Sequence, residues 1–315
     1  MIKKGSFRRM VVASFALFIV LLTIYIFPKD EVKIPSKTIY KKVYASAIYL
    51  IDKNNYVART TVNISSTSKE TKALELINTL INGTVKNKYI PSGFKSLIAE
   101  GTTVNNVKIS GDLITIDFNQ NFLNTKDIDE EKMIESIVYT LTEIKGIKKV
   151  KILVDGKAIN KLPSSGKIIP DILTREIGIN KKTSLTSFKN TKDVTTYFLN
   201  KIDDNKYFVP VTITTDDPSE KIEIIIKELK AKDNIDNNLS TYLEAGTTLK
   251  NYQVLENEFN MEFNNVILNS FNKIDEEVVY GLALSIYDNY NIDRISIDVD
   301  NVQVVAYALK ITWNY

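Results

Sequence analysis

Neither cysteine nor histidine occurs anywhere in the 315 residues of this chain. Without cysteine there is no disulfide, no thiolate zinc or iron–sulfur ligation and no thiol nucleophile. Without histidine the commonest general base and metal ligand is missing as well. The lack of cysteine also erases any record of redox compartment, so the side of a membrane on which the chain lies has to be read from charge. Glycine (11) and proline (7) are sparse, which excludes a collagen-like or low-complexity chain. The 44% hydrophobic and 25% charged residues suit folded globular matter, and the length suits about two domains.

The net charge of +3 is unevenly placed, because Lys3, Lys4, Arg8 and Arg9 stand ahead of residue 28 with no acid to offset them, and setting them aside leaves −1. A near-neutral remainder lacks the basic footprint of a nucleic-acid binder, and no nucleic-acid partner is expected. From Met10 to Phe27 no residue is charged and nearly all are apolar. As a helix rising about 1.5 Å per residue this run reaches roughly 27 Å, close to the hydrocarbon core of a bilayer. It is longer than a typical signal-peptide core and is followed at once by Pro28, Lys29, Asp30 and Glu31. No small-residue cleavage site lies nearby, and Ala45-Ser46-Ala47 is too far downstream. The expected order is a cytoplasmic basic tail at 1–9, a transmembrane anchor at 10–27 and a solvated tether at 28–43. The positive-inside rule then places the C-terminal bulk outside the cell membrane, although Lys29, Lys33, Lys37, Lys41 and Lys42 weaken that bias.

Beyond the tether the chain repeats itself. AEGTTVNNVKISGDLITIDFNQNFLN around Gly101 matches EAGTTLKNYQVLENEFNMEFNNVILN around Gly246, a shift of 145 residues. The register continues nearly ungapped, with Ile128 to Glu131 meeting Ile274 to Glu277 and Val150 to Asp155 meeting Ile295 to Asp300. Upstream, residues 49–64 match residues 198–214 as strand, Asp/Asn turn and strand.

Within each copy the periodicities predict the elements. Thr67 and Glu70 have capping-box spacing ahead of Leu74, Ile77, Leu80 and Ile81, with Gly83 as a stop. Asp217-Pro218-Ser219-Glu220 opens the equivalent helix of the second copy. Val107–Ile109 and Leu113–Phe118 flank Gly111-Asp112 as a hairpin. A second helix carries Met133, Ile134, Ile137, Val138, Leu141 and Ile144 on one stripe and ends at Gly146; Val278, Val279, Leu282, Ala283 and Ile286 repeat it. A strand from Lys149 to Val154 follows. The predicted class is α+β, two similar tandem domains, each with helices packed on one face of a mostly antiparallel sheet.

Carboxylate pairs are the acid–base chemistry this composition leaves open. The candidates are Asp117 and its counterpart Glu262, Asp129 to Glu131 with Asp275 to Glu277, and Asp298 with Asp300. Acids at a helix start serve its free N–H groups and dipole, and alternating acids keep a strand face wet, so the bland account is preferred each time. Glu-Gly-Thr-Thr reads as a turn needing positive φ at Gly101 and Gly246 rather than as a phosphate cradle. Asp203-Asp204-Asn205 and Asp233-Asn234-Ile235-Asp236 lack the ligand spacing of a calcium loop. Tyr56, Tyr207, Phe208, Tyr287 and Tyr290 read as packing residues. No catalytic, cofactor-binding or metal-binding residue is nominated; interaction is expected at exposed sheet edges, where a partner or another copy adds strands.

These features resemble the GerMN domain, which occurs in tandem in GerM-type sporulation and germination proteins of endospore formers. The resemblance covers about residues 44–312 and rests on Ala73-Leu74, Glu100-Gly101-Thr102, Ile114 to Phe118, Gly146 to Val150, Val154-Asp155-Gly156 and the string Leu173 to Asn180. It implies domains at 44–180 and 194–315 joined by a linker at 181–193, and a fold similar to ring-building motifs. It implies further a non-enzymatic, extracytoplasmic assembly or adaptor module with protein partners, such as a channel complex joining mother cell and forespore, and a possible homo-oligomer. Members are often lipoproteins; with no cysteine to lipidate, the helix at 10–27 takes that role here. The alternative is a wall-associated protein that binds carbohydrate or modifies peptidoglycan.

Overall fold

A computed structural model describes residues 45–66, 68–230, 238–290, 292 and 294–308. The tail, anchor and tether expected at 1–43 all lie outside them, as do Thr67 of the expected capping box and the Asp233 to Asp236 cluster. Among the described residues no helix is long and apolar enough to cross a membrane.

The first copy opens with a hairpin, β1 (Ser46–Asp52) and β2 (Val57–Val62), and continues into α1 (Lys69–Leu80). Ser68 caps α1, its hydroxyl accepting from the Thr71 amide at 3.2 Å. The buried stripe is Ala73, Leu76, Ile77 and Leu80. Leu74, expected inside, lies half exposed one step off that stripe. After the short β3 (Phe94–Lys95) come β4 (Val104–Ser110) and β5 (Leu113–Phe118), joined through Gly111-Asp112 with Gly111 at φ +61°. Helix α2 (Glu130–Thr142) is capped by Asp129, and Gly146 turns the chain at φ +85° into β6 (Lys149–Val154), which runs parallel to β5. A two-residue β7 (Lys157–Ala158) closes this sheet, in the order β4-β5-β6-β7.

The second copy repeats the plan. Its hairpin is β9 (Lys192–Ile202) and β10 (Asn205–Thr215), preceded by β8 (Lys182–Ser184), which pairs parallel with β10. Then follow α3 (Lys221–Lys230), β11 (Leu249–Leu255), β12 (Glu258–Phe263), α4 (Glu276–Tyr290), β13 (Arg294–Val299) and β14 (Val302–Ala308), the strands ordered β11-β12-β13-β14.

In one respect the layering differs from the expectation. The helices do not sit on one face of a single sheet: α2 packs against β1 and β2 on one side and against β6 on the other. Residues 133–142 of α2 are accordingly buried all round, as a helix between two sheets must be. The hairpins of both copies meet in one sheet, ordered β3-β1-β2-β10, with β9 and β8 also paired to β10. Each copy keeps its own core, but Ala58 of β2 belongs to the core of the second copy and Phe94 packs against both.

Candidate functional site

The carboxylates singled out in the sequence do not converge in one cleft. Asp117 accepts from the Gly156 amide at 2.9 Å and so holds the β6–β7 turn. Asp129 accepts from the Lys132 amide at 3.2 Å as the cap of α2. Glu130 is buried, which opposes its charge, yet hydrogen bonds from the Thr125 hydroxyl (2.6 Å) and the amides of Ser164 (2.8 Å) and Ser165 (2.7 Å) win, pulling its pKa down to about 2. Glu131 pairs with Lys167 and Lys181, Glu277 with Lys206 at 2.7 Å, and Asp275 accepts from the Asn269 carboxamide at 2.7 Å. Asp300 pairs with Lys250 at 2.7 Å, whereas Asp298 accepts from Asn260 at 3.0 Å, so these two are separately engaged. The structure does set Glu262 beside Asp298 across β12 and β13, but the first copy has Leu153 opposite Asp117 at that register, so the pair is not part of the repeat.

The Glu-Gly-Thr-Thr turns are clamped by an asparagine in each copy. Asn119 donates to the Gly101 carbonyl at 3.2 Å and accepts from the Thr103 amide at 3.1 Å; Asn264 does the same for Gly246 (2.9 Å) and Thr248 (3.0 Å). Gly101 has the expected positive φ, +80°, whereas Gly246 does not, although the same asparagine clamp holds both turns. Asp203-Asp204-Asn205 forms the exposed β9–β10 turn, with Asp203 at φ +53°. Phe208 is a core residue, Tyr56 packs on the core and Tyr290 accepts from the Ile222 amide at 2.8 Å. Tyr207 and Tyr287 do more than pack.

The most densely built polar constellation lies at the seam between the copies. Arg175 projects from the string Leu173 to Asn180 and forms ion pairs with Glu143, at the end of α2, at 2.8 Å and with Asp288 of α4. Its Nε donates to the Thr142 hydroxyl at 2.8 Å, and its guanidinium lies 4.7 Å from the ring of Tyr139 and 5.2 Å from that of Tyr287. Tyr49 of β1 donates to Glu143 at 3.0 Å and Tyr197 of β9 to Asp288 at 2.7 Å, with the two hydroxyls 2.9 Å apart. Arg59 adds a further contact to Glu143 at 3.6 Å. Glu143 and Asp288 stand 145 positions apart in the repeat, so the cluster is nearly symmetric about Arg175. Burial raises the pKa of Asp288, against which Arg175 and Tyr197 pull it down; burial also pushes the Tyr49 and Tyr197 hydroxyls well up. Two buried cations face two buried anions, an arrangement that fixes geometry and offers no free base.

A second clasp is Asn180, at φ +46°. Its side chain accepts from the Val57 amide at 2.9 Å and donates to the carbonyls of Val57 (2.8 Å) and Pro210 (2.7 Å), tying β2 to β10. Its own amide donates to Glu135 at 3.0 Å. Burial pushes Glu135 up to about 7, opposed by the Asn180 amide and Lys181 and reinforced by Asp129 and Glu131. A third contact joins Asp52 to Tyr207 (2.8 Å) and Asn200 (3.1 Å) of the second copy. Sequence reasoning missed Arg175, Glu143, Asp288, Tyr49, Tyr197, Glu135, Asn180 and Asp52 as a set. One signal was present: the string Leu173 to Asn180 stands between the two matching segments, where a part that joins them would lie.

Comparison with known proteins agrees with this architecture. A family model described as Germane, sporulation and spore germination, matches residues 47–160 and again residues 195–305. The chain is 31% identical over 262 residues to the spore germination protein GerM of Bacillus subtilis (strain 168), covering 80% of this chain and 70% of that protein. Its structure is similar to the solved tandem GerMN domains of the sporulation protein GerM from Bacillus subtilis, with a TM-score of 0.75 and 27% identity over 86% of this chain and 100% of that one. Because the same model falls once on each copy of the repeat, the chain belongs to the Germane family of sporulation and spore germination proteins, with two GerMN-like α+β domains in tandem.

Proposed function

We propose that the chain is a non-enzymatic adaptor of sporulation or germination, held to the cell membrane by residues 10–27 and displaying its paired domains outside, in the mother-cell membrane of a sporulating cell. There they bind partner proteins, in keeping with an assembly joining mother cell and forespore. The observation that carries this reading is the seam. Arg175, Glu143 and Asp288 spend their charge on one another at the junction, and the acids with chemical potential elsewhere are engaged as caps, turn anchors and surface pairs. A family named for sporulation and germination supplies the biological setting.

Deleting the gene in its spore-forming host tests the role: fewer heat-resistant spores or slowed germination is the expected result, and normal values for both would refute it. Protease shaving of intact protoplasts tests topology separately, with residues 45–308 expected to be digested and their protection overturning the outward placement.

A further inference from the structure

Glu135 is a buried acid that is only half satisfied. It lies on α2, 4% exposed, and its Oε2 accepts from the Asn180 amide at 3.0 Å. Among the described residues its Oε1 meets no hydrogen-bond donor and no cation within ion-pair distance. A buried carboxylate oxygen left in this way opposes folding unless something outside the chain completes it. The fold of the repeat does not require it, because the equivalent position of the second copy is Tyr280.

Glu135 lines a cavity of about 420 Å³ between α2 and the chain from Leu162 to Lys181. Every lining residue falls between 131 and 181, a stretch described without a break. Ile134, Leu162, Ile169 and Leu173 form buried apolar walls, and Ile168 and Ile172 stand exposed beside them. These walls are pre-formed. The Leu162 amide donates to the Lys167 carbonyl at 2.8 Å, the Ile169 amide to that of Asn160 at 3.0 Å, and Leu173 exchanges two backbone bonds with Val150 of β6. Acids outnumber bases in the lining, Glu131, Glu135 and Glu176 against Lys167 and Lys181, and both lysines are already turned to Glu131. An apolar slot with a net negative lining and one open carboxylate oxygen selects a cation on an apolar stem. Burial pushes Glu135 up to about 7, and such a cation would relieve that penalty.

We propose that this cavity receives the side chain of a lysine carried by a partner protein, its methylenes against Ile134, Ile169 and Leu173 and its ammonium donating to Glu135 Oε1. A guanidinium suits the site less, because its paired donors match two carboxylate oxygens and Oε2 is already taken. Because Tyr280 replaces the carboxyl in the second copy, the site belongs to the first. This inference rests on the adaptor reading and names the chemistry of one contact.

The test is a titration of the full chain in detergent, labelled at the isoleucine δ1 methyls, with N-acetyl-lysine N-methylamide, read by nuclear magnetic resonance. Saturable shifts at Ile134 and Ile169 are expected, and the uncharged norleucine analogue should not reproduce them. Glu135→Gln keeps the acceptor for the Asn180 amide and should weaken binding about tenfold or more, as loss of a hydrogen bond between charged groups does. No saturable shift, equal binding of the norleucine analogue, tighter binding of the arginine analogue or an unchanged affinity in Glu135→Gln would overturn the proposal. So would binding of free n-butylamine without binding of the peptide-borne lysine, which would make this a site for a small amine. The wild-type titration with its norleucine control reads the site even if the variant does not fold. Spore counts after gene deletion report on the adaptor role alone, so the two claims can fail separately.

Discussion

Two glutamates on α2, five residues apart, respond to pH in opposite directions, and the contrast comes from their surroundings alone. Glu130 is drawn down to about 2 because its hydrogen-bond donors outweigh burial, so its contribution is present above the unfolded value near 4.5 and is lost as pH falls through the interval toward 2. Glu135 is raised to about 7 by burial, so it is tolerated in its neutral form and penalises the fold increasingly as pH climbs from about 4.5 to 7. The full penalty is about 3 kcal/mol. Glu135→Gln, which still accepts from the Asn180 amide, should therefore raise the urea midpoint at pH 8 while changing it little at pH 4.5; equal shifts at both values would contradict the assignment. Glu130→Gln should lower stability at pH 7 and flatten the acid limb of the same profile. The sequence shows both as acids early in a helix, and neither surrounding is visible there, because the groups that decide them come from Ser164, Ser165 and Asn180.

At the scale of elements, the repeat has diverged by an exchange of partners. In the first copy Ser136 of α2 donates to the Tyr49 carbonyl at 2.6 Å. The equivalent residue of α4 is Gly281, and the Tyr197 carbonyl is served instead by the hydroxyl of Tyr242, at 2.8 Å, from the position held by Leu97 in the first copy. A Cβ on Gly281 would lie 1.9 Å from that hydroxyl. Gly281→Ala should therefore destabilise by about 2 kcal/mol or more, despite the better helix propensity of alanine. Combining Gly281→Ser with Tyr242→Leu restores the first-copy solution and should recover most of the loss; additive losses in that double-mutant cycle would show that the two sites are not coupled. Helix and strand positions were legible here from periodicity. The second sheet covering α2 and α4 was not, since a stripe shows that a face is buried and does not count the layers that bury it.

For the whole molecule, Arg175 decides whether the copies behave as one body. Removing it leaves Glu143 and Asp288 buried without their main counter-charge, a loss of about 3–5 kcal/mol for a broken buried pair. Arg175→Met should lower the denaturant midpoint accordingly and separate unfolding of the two copies, seen as transitions that no longer coincide for tyrosine fluorescence and circular dichroism. Arg175→Lys should not rescue it, because an ammonium cannot reach Glu143, Asp288 and Thr142 together as a planar fork does. A single unchanged transition in Arg175→Met would show that the apolar contacts at the seam suffice.

The duplication, the order of elements, the turn glycine at 101 and the family itself were determined by the sequence, because each is local pattern or self-similarity that survives in one dimension. The assembly of those pieces was decided by tertiary structure. Arg175 lies 32 residues from Glu143 and 113 from Asp288, and Asn180 lies 123 from Val57, separations over which no periodicity carries information. Burial makes those few charges and amides matter, and burial exists only once both copies have folded against each other.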